Sequence, residues 1–200
     1  MKSKNFYDYL WLWPLIYFAL GFFNILFAWL GMIDFILPLL FAVFGGNKFF
    51  CNKLCGRGRL YAFLPKKFKK FSRGIIAPKW LSSNYFRYGF LIFFMVMFCN
   101  VLYQTWLVFG GTSSVREVVT LFWAFKIPFS WAYTAGSVPD WVAQYSFGLY
   151  SLMLTSALIG LIVMYLYRPR TWCAFCPMGT MTQLICKLGN KQELGVRNEE

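Results

Sequence analysis

The chain of 200 residues contains no histidine. That absence excludes histidine-ligated haem, histidine zinc sites and imidazole acid–base catalysis. Acidic residues are scarce, seven in all, and none pair within an apolar stretch. No Ser/His/Asp array, phosphate loop or GxGxxG is present. Charged residues make up only 14% of the chain, against 59% hydrophobic and 22% aromatic. That balance excludes an ordinary soluble domain and fits a chain whose solvent is lipid. The concentrated reactive chemistry is confined to six cysteines, at positions 51, 55, 99, 173, 176 and 186.

The net charge of +13 could signal nucleic acid, but its placement argues otherwise. Only Arg116 and Lys126 fall between residues 110 and 143; every other Lys and Arg lies in the N-terminal tail, the 47–87 segment or the C-terminal part. This is the positive-inside pattern, which also attracts anionic lipid. It excludes nucleic acid as a partner and places the basic side in the cytoplasm.

Hydropathy divides the chain into four spans. Leu10 to Met32 is long enough to cross a bilayer and has no cleavage site, so it reads as a retained helix with Pro14 near its start. Gly31 to Asp34 reads as the turn, with Asp34 capping the next helix. The second run, Phe35 to Phe50, is short and is interrupted by Gly45-Gly46-Asn47-Lys48. It needs local thinning or snorkelling of Lys48; a re-entrant hairpin would not return the basic segment to its own side. A basic linker follows, with Lys66-Lys67-Phe68-Lys69-Lys70-Phe71 interleaving charge and aromatics as an interfacial segment does. Tyr88–Phe109 is the third span and Tyr145–Tyr167 the fourth, stopped by Arg168-Pro169-Arg170. Between them, Glu117–Tyr133 is expected as a helix on the outer face or dipping inward, and residues 187–200 as a polar, mobile tail. Tryptophans are expected as interface anchors.

Two cysteine motifs follow the second and fourth runs. Phe50-Cys51-Asn52-Lys53-Leu54-Cys55-Gly56-Arg57-Gly58-Arg59-Leu60 resembles Trp172-Cys173-Ala174-Phe175-Cys176-Pro177-Met178-Gly179-Thr180-Met181. Each has an aromatic before its first cysteine, a basic residue three positions ahead (Lys48, Arg170), and a glycine three residues past its second. The order helix, helix, motif, twice, predicts an all-α integral membrane protein with two parallel repeats, residues 1–87 and 88–186, and a tail over 187–200. Both motifs then sit at cytoplasmic helix ends. Four thiolates delivered as two pairs suit an iron–sulfur cluster or Zn²⁺, and a reducing compartment disfavours disulfides. Gly58 and Gly179 are expected to fold the backbone tightly over an inorganic core. The helices expected after each motif, over Leu60–Leu64 and Thr180–Ile185, would aim their N-termini at an anionic centre. Lys48, Lys53, Arg57, Arg59, Arg168 and Arg170 would add positive potential. Cys99, within Phe93–Leu102, reads as a small hydrophobe, and Cys186 as a substitute ligand at most.

The doubled CxxxC/CxxCP–Gly pattern, with Ala77-Pro78-Lys79-Trp80-Leu81 leading to Phe86-Arg87-Tyr88, resembles the membrane domains of four-iron four-sulfur polyferredoxin-like proteins. Those include the membrane quinol-dehydrogenase subunit of periplasmic nitrate reduction, the nitrous-oxide-respiration regulator and the cytochrome oxidase accessory ferredoxin. The resemblance covers most of residues 35–190. It departs at Gly56, where such proteins have proline, at the two-residue spacing of the second motif, and in lacking CxxCxxCxxxCP repeats. The resemblance implies Cys51, Cys55, Cys173 and Cys176 as ligands of one [4Fe–4S] cluster. It further implies an electron-transfer subunit of an inner-membrane oxidoreductase complex, rather than a catalyst on its own, with both termini cytoplasmic. Single electrons would pass between a cytoplasmic protein and a quinone, flavoprotein or further Fe–S subunit. The alternatives are a zinc- or metal-handling assembly factor and an Fe–S redox sensor.

Overall fold

A computed structural model of the chain describes residues 9–45, 50–67, 75–116, 118–121, 125–127, 138–168 and 171–197. Lys48, Arg170 and most of the Lys66–Phe71 run lie outside the described residues.

The first two apolar runs divide differently from the expectation. Helix α1, Leu12–Phe23, has 12 residues and is about 18 Å long. It stops at Asn24, whose backbone is extended (φ −143°, ψ 120°) and whose Oδ1 accepts from the Leu26 N–H at 3.0 Å. An asparagine in this role both ends one helix and caps the next. A 3₁₀ turn over Ile25–Trp29 runs straight into α2, Leu30–Gly45. The expected turn at Gly31–Asp34 is therefore helical. Gly31 keeps its place because the Tyr17 ring packs against it; a Cβ there would lie 2.7 Å from Tyr17 Oη. Asp34 caps nothing and instead accepts from Trp13 Nε1 at 2.8 Å. The first helix is the short one and the second the long one, the reverse of what hydropathy suggested.

Among the described residues, three helices are long and apolar enough to cross a membrane: Ile25–Gly45, Asn84–Phe109 (α4) and Asp140–Leu166 (α5); Leu12–Phe23 is apolar but shorter. Helix α5 is the axis of the molecule. Of its apolar window 56% is buried, against 11% for α4, so α4 presents most of its surface outward. Small residues along α5 admit close neighbours, as in membrane helix packing. Gly148 faces Val101 of α4, and Gly160 faces Tyr61. Buried Ser146, Ser151 and Thr155 satisfy their hydroxyls on carbonyls four residues back, at 2.8, 2.7 and 2.7 Å.

The segment between α4 and α5 differs too. Thr120–Leu121 (β1) and Phe125–Lys126 (β2) pair antiparallel, with Thr120 opposite Lys126, where a helix over Glu117–Tyr133 was expected. Val118, Val119 and Thr120 are β-branched and favour strand. Val119 is fully buried against Ile25, Ala28, Phe147 and Tyr150, which pins the hairpin to the bundle.

At the other end, α3 (Gly56–Lys67) follows the first motif, and α6 (Thr171–Phe175) carries the second. Helix α7, Pro177–Arg197, continues through most of the segment expected as a mobile tail. Trp172 is 3% exposed in a cluster with Tyr61, Leu81, Met164 and Phe175, so it is a core residue and not an interface anchor.

Candidate metal centre

Four of the six cysteines line one cavity of about 220 Å³: Cys51 and Cys55 from the first motif, Cys173 and Cys176 from the second. Local backbone explains their delivery. Residues Phe50–Leu54 form a wide helical turn, closed by the Cys55 N–H on the Phe50 carbonyl at 2.8 Å. The Cys55 and Cys176 carbonyls accept from Arg59 and Thr180, at 3.1 and 2.9 Å, so each second cysteine sits at the start of the helix that follows its motif. The two halves interlock here. Cys51 Sγ lies 3.7 Å from Thr182 Oγ1, on the helix that follows the other motif. Cys99 is exposed on α4, and Cys186 faces α2, with its sulfur 4.0 Å from the Ala42 carbonyl; neither lines the cavity.

The glycines act differently from the expectation. Gly58 and Gly179 lie within α3 and α7, without left-handed backbone; the only positive-φ glycine among the described residues is Gly111. What Gly58 supplies is room. A Cβ at that position would lie 3.7 Å from both Cys55 Sγ and Cys173 Sγ, so an open position is flanked by one thiol of each motif. The Gly58 N–H also points at Cys55 Sγ, 3.5 Å away. Gly58→Val, whose branches would enter this space, is expected to cut iron retained per chain severalfold while far-ultraviolet dichroism stays unchanged. Unaltered iron content would mean that the space next to Gly58 is not used.

Burial governs the second thiol of each motif. It pushes Cys55 up to about 11, helped by the neighbouring Cys176 and Cys51 and opposed by the Gly58 N–H. Cys176 is raised for the same first reason, against the N–H groups of Gly179 and Met178 and the charge of Arg57. Without a cationic core these groups hold their protons, and a metal centre must displace them.

Arg57 is a cation whose charge acts on both Cys55 and Cys176. It lines the cavity, donates to Ser156 Oγ at 2.7 Å, approaches Met153 Sδ at 2.8 Å and lies 5.9 Å from the centre of the Phe18 ring. Of the other expected cations, Lys53, Arg59 and Arg168 do not line it. Two residues that sequence reasoning assigned elsewhere do. Arg87, expected only as part of the linker into a span, reaches across to Gln183. Asp34, expected as a cap, faces the cavity from α2. A carboxylate inside an apolar run was the available signal, since such groups seldom lie in a span without a partner or a cavity.

Among the described residues, no three Cys, Asp or Glu side chains converge where a single ion would sit. A tetrahedral zinc site needs four ligands at about 2.0–2.3 Å from one centre. Four thiols spread around a cavity, with room beside Gly58, suit a larger inorganic core held by thiolates alone.

The comparisons agree. A family model described as a 4Fe-4S binding domain matches residues 27–74 and 151–194, two stretches that each contain one motif. The match supports an iron–sulfur family. It does not support zinc. No curated protein and no solved structure matches the chain significantly.

Proposed function

We propose that the chain is a membrane electron-transfer subunit in which Cys51, Cys55, Cys173 and Cys176 together hold one [4Fe–4S] cluster. The observation that carries this reading is the single cavity lined by all four thiols, two from each motif. When bound, such a cluster supplies one-electron chemistry at a potential set by charge, hydrogen bonds and solvent exposure. The chain's own groups act on those levers. Arg57 and Arg87 favour the more negative, reduced state and so raise the potential, and the Gly58 N–H does the same at Cys55. Phe94, Pro38 and Trp172 keep one side of the cavity apolar.

The membrane arrangement we propose has four elements in two parallel repeats, with both motifs and both termini at the cytoplasmic face of the inner membrane. Helix α1 is the short fourth element, turning back at Asn24 within the apolar layer. Two contacts support this: Trp11 stacks on Phe63 of α3 at 4.4 Å, and Gly56 packs against Leu10 and Pro14. The start of α1 therefore lies beside the first motif. The bias of basic residues supports a cytoplasmic location for that side. Electrons would pass singly between a cytoplasmic protein and a partner in or across the membrane, a quinone, flavoprotein or further Fe–S subunit, within a larger complex.

Anaerobic purification with metal analysis tests the reading. We expect about four iron and four acid-labile sulfides per chain, and an EPR signal after dithionite. Stoichiometric zinc without sulfide would overturn it.

A further inference from the structure

A second cavity, of about 730 Å³, lies between α4, α5 and the outer hairpin, and the cluster reading does not use it. Its chemistry is one-sided. Arg116 and Lys126, the only basic residues between 110 and 143, both line it. No described Asp or Glu does. Helix α4 contributes Asn100 and Gln104, four residues apart and so on one face, in a helix whose other residues past Tyr88 are apolar apart from Tyr103 and Thr105. Polar side chains in an apolar helix are costly unless they meet a cavity or a partner, and these two line the cavity.

Two hydrogen bonds hold the backbone of one wall to α5. Gln144 accepts the Arg116 N–H at 2.9 Å, and Ser151 accepts the Thr120 N–H at 3.1 Å. These two residues stand seven apart on α5 and strap the outer segment to it. The Gln144 carbonyl is thus engaged, which leaves its amide N–H groups as the donors it can offer the cavity. Met97 and Leu152 add apolar lining, so the space combines two cations, three amide side chains and an apolar wall.

We propose that this cavity binds a phosphate group, with Arg116 and Lys126 as counter-charges and Asn100 and Gln104 as donors. Two sources share that chemistry: a free phosphate-bearing solute, or the headgroup of an outer-leaflet anionic lipid. For the lipid, the exposed α4 face around Val96 and Tyr103 would receive the acyl chains. The site stands whether or not the cysteines hold a cluster.

The test uses the intact protein in nanodiscs and a double variant, Arg116→Gln with Lys126→Gln. In phosphatidylcholine discs, calorimetric titration with inorganic phosphate reads the free solute. In discs containing phosphatidylglycerol, native mass spectrometry reads lipid retained on the chain. Lys79→Gln, at the other end of the molecule, controls for loss of charge alone, and circular dichroism checks folding. Saturable phosphate binding that weakens at least about tenfold in the double variant, but not in Lys79→Gln, supports the site with a free solute. Retained phosphatidylglycerol that is lost only in the double variant supports it with the lipid as source. Absence of both, or binding equal in the two variants, overturns the proposal.

Discussion

Cys51→Ser and Cys173→Ser are each expected to strip the protein of its iron–sulfur chromophore. The two residues belong to different motifs, 122 positions apart in the numbering, yet both line the same cavity. If one centre is shared, either loss leaves three thiolates, and the remaining pair of the intact motif cannot compensate. Removing only a group that supports a ligand typically weakens metal affinity by roughly 10–100-fold, so loss of a ligand should exceed that. Iron and sulfide should fall to background in both variants, and the Ala versions should match them, because serine retains an oxygen donor. Cys99→Ser and Cys186→Ser should keep full occupancy, since neither sulfur faces the cavity. A normal cluster in either motif variant would refute the shared centre and point to two separate sites.

That expectation rests on a part of the molecule that was legible in the sequence. A cysteine pair in each half, a matched aromatic before it, a matched glycine after it and a matched position after an apolar run carried the pairing of the motifs, because thiolate chemistry tolerates few substitutes. Helix lengths were less legible. From Leu10 to Phe44 the chain is almost continuously apolar, and hydropathy alone cannot say where it turns. Gly31 with Asp34 looked like the stronger breaker, but Asn24 prevails, because its side chain replaces the hydrogen bond that the break costs. Gly31 stays helical for a tertiary reason, the Tyr17 ring, which no local pattern reveals. The outer hairpin was missed because an apolar stretch of that length reads equally as helix; burial of Val119 against Phe147 and Tyr150 decides it. Asp34 shows the same limit at the site. Its type and place in an apolar run were visible, but its facing the cysteine cavity depends on how α2 rotates against α5.

The packing that brings the motifs together makes a second large effect predictable, at a residue that is not a ligand. Tyr61, on the helix after the first motif, inserts against α5 just before the second; it is 1% exposed and donates to the Ala157 carbonyl at 3.1 Å. Burial also pushes its phenol well above the usual tyrosine range, which keeps the hydroxyl protonated and donating. Gly160 provides the space. A Cβ there would lie 2.3 Å from Tyr61 Oη and 2.6 Å from its Cζ, far inside van der Waals contact. The ring cannot swing away, because Leu81, Met164, Trp172 and Phe175 enclose it. Gly160→Ala must therefore push α3 away from α5, and with it Cys51 and Cys55 away from Cys173 and Cys176. Overpacking of this kind costs about 1–3 kcal/mol, and the rigid surroundings place this case at the upper end. We expect a lower melting temperature and loss of most of the cluster in the same variant. Gly45→Ala, where an added Cβ meets nothing within 4 Å, is the control and should change neither. Gly160→Ala combined with Tyr61→Ala removes the clashing ring and should recover part of the iron, at the cost of a cavity. If Gly160→Ala retains a full cluster and an unchanged melting temperature, then the docking of α3 on α5 does not hold the two motifs in register.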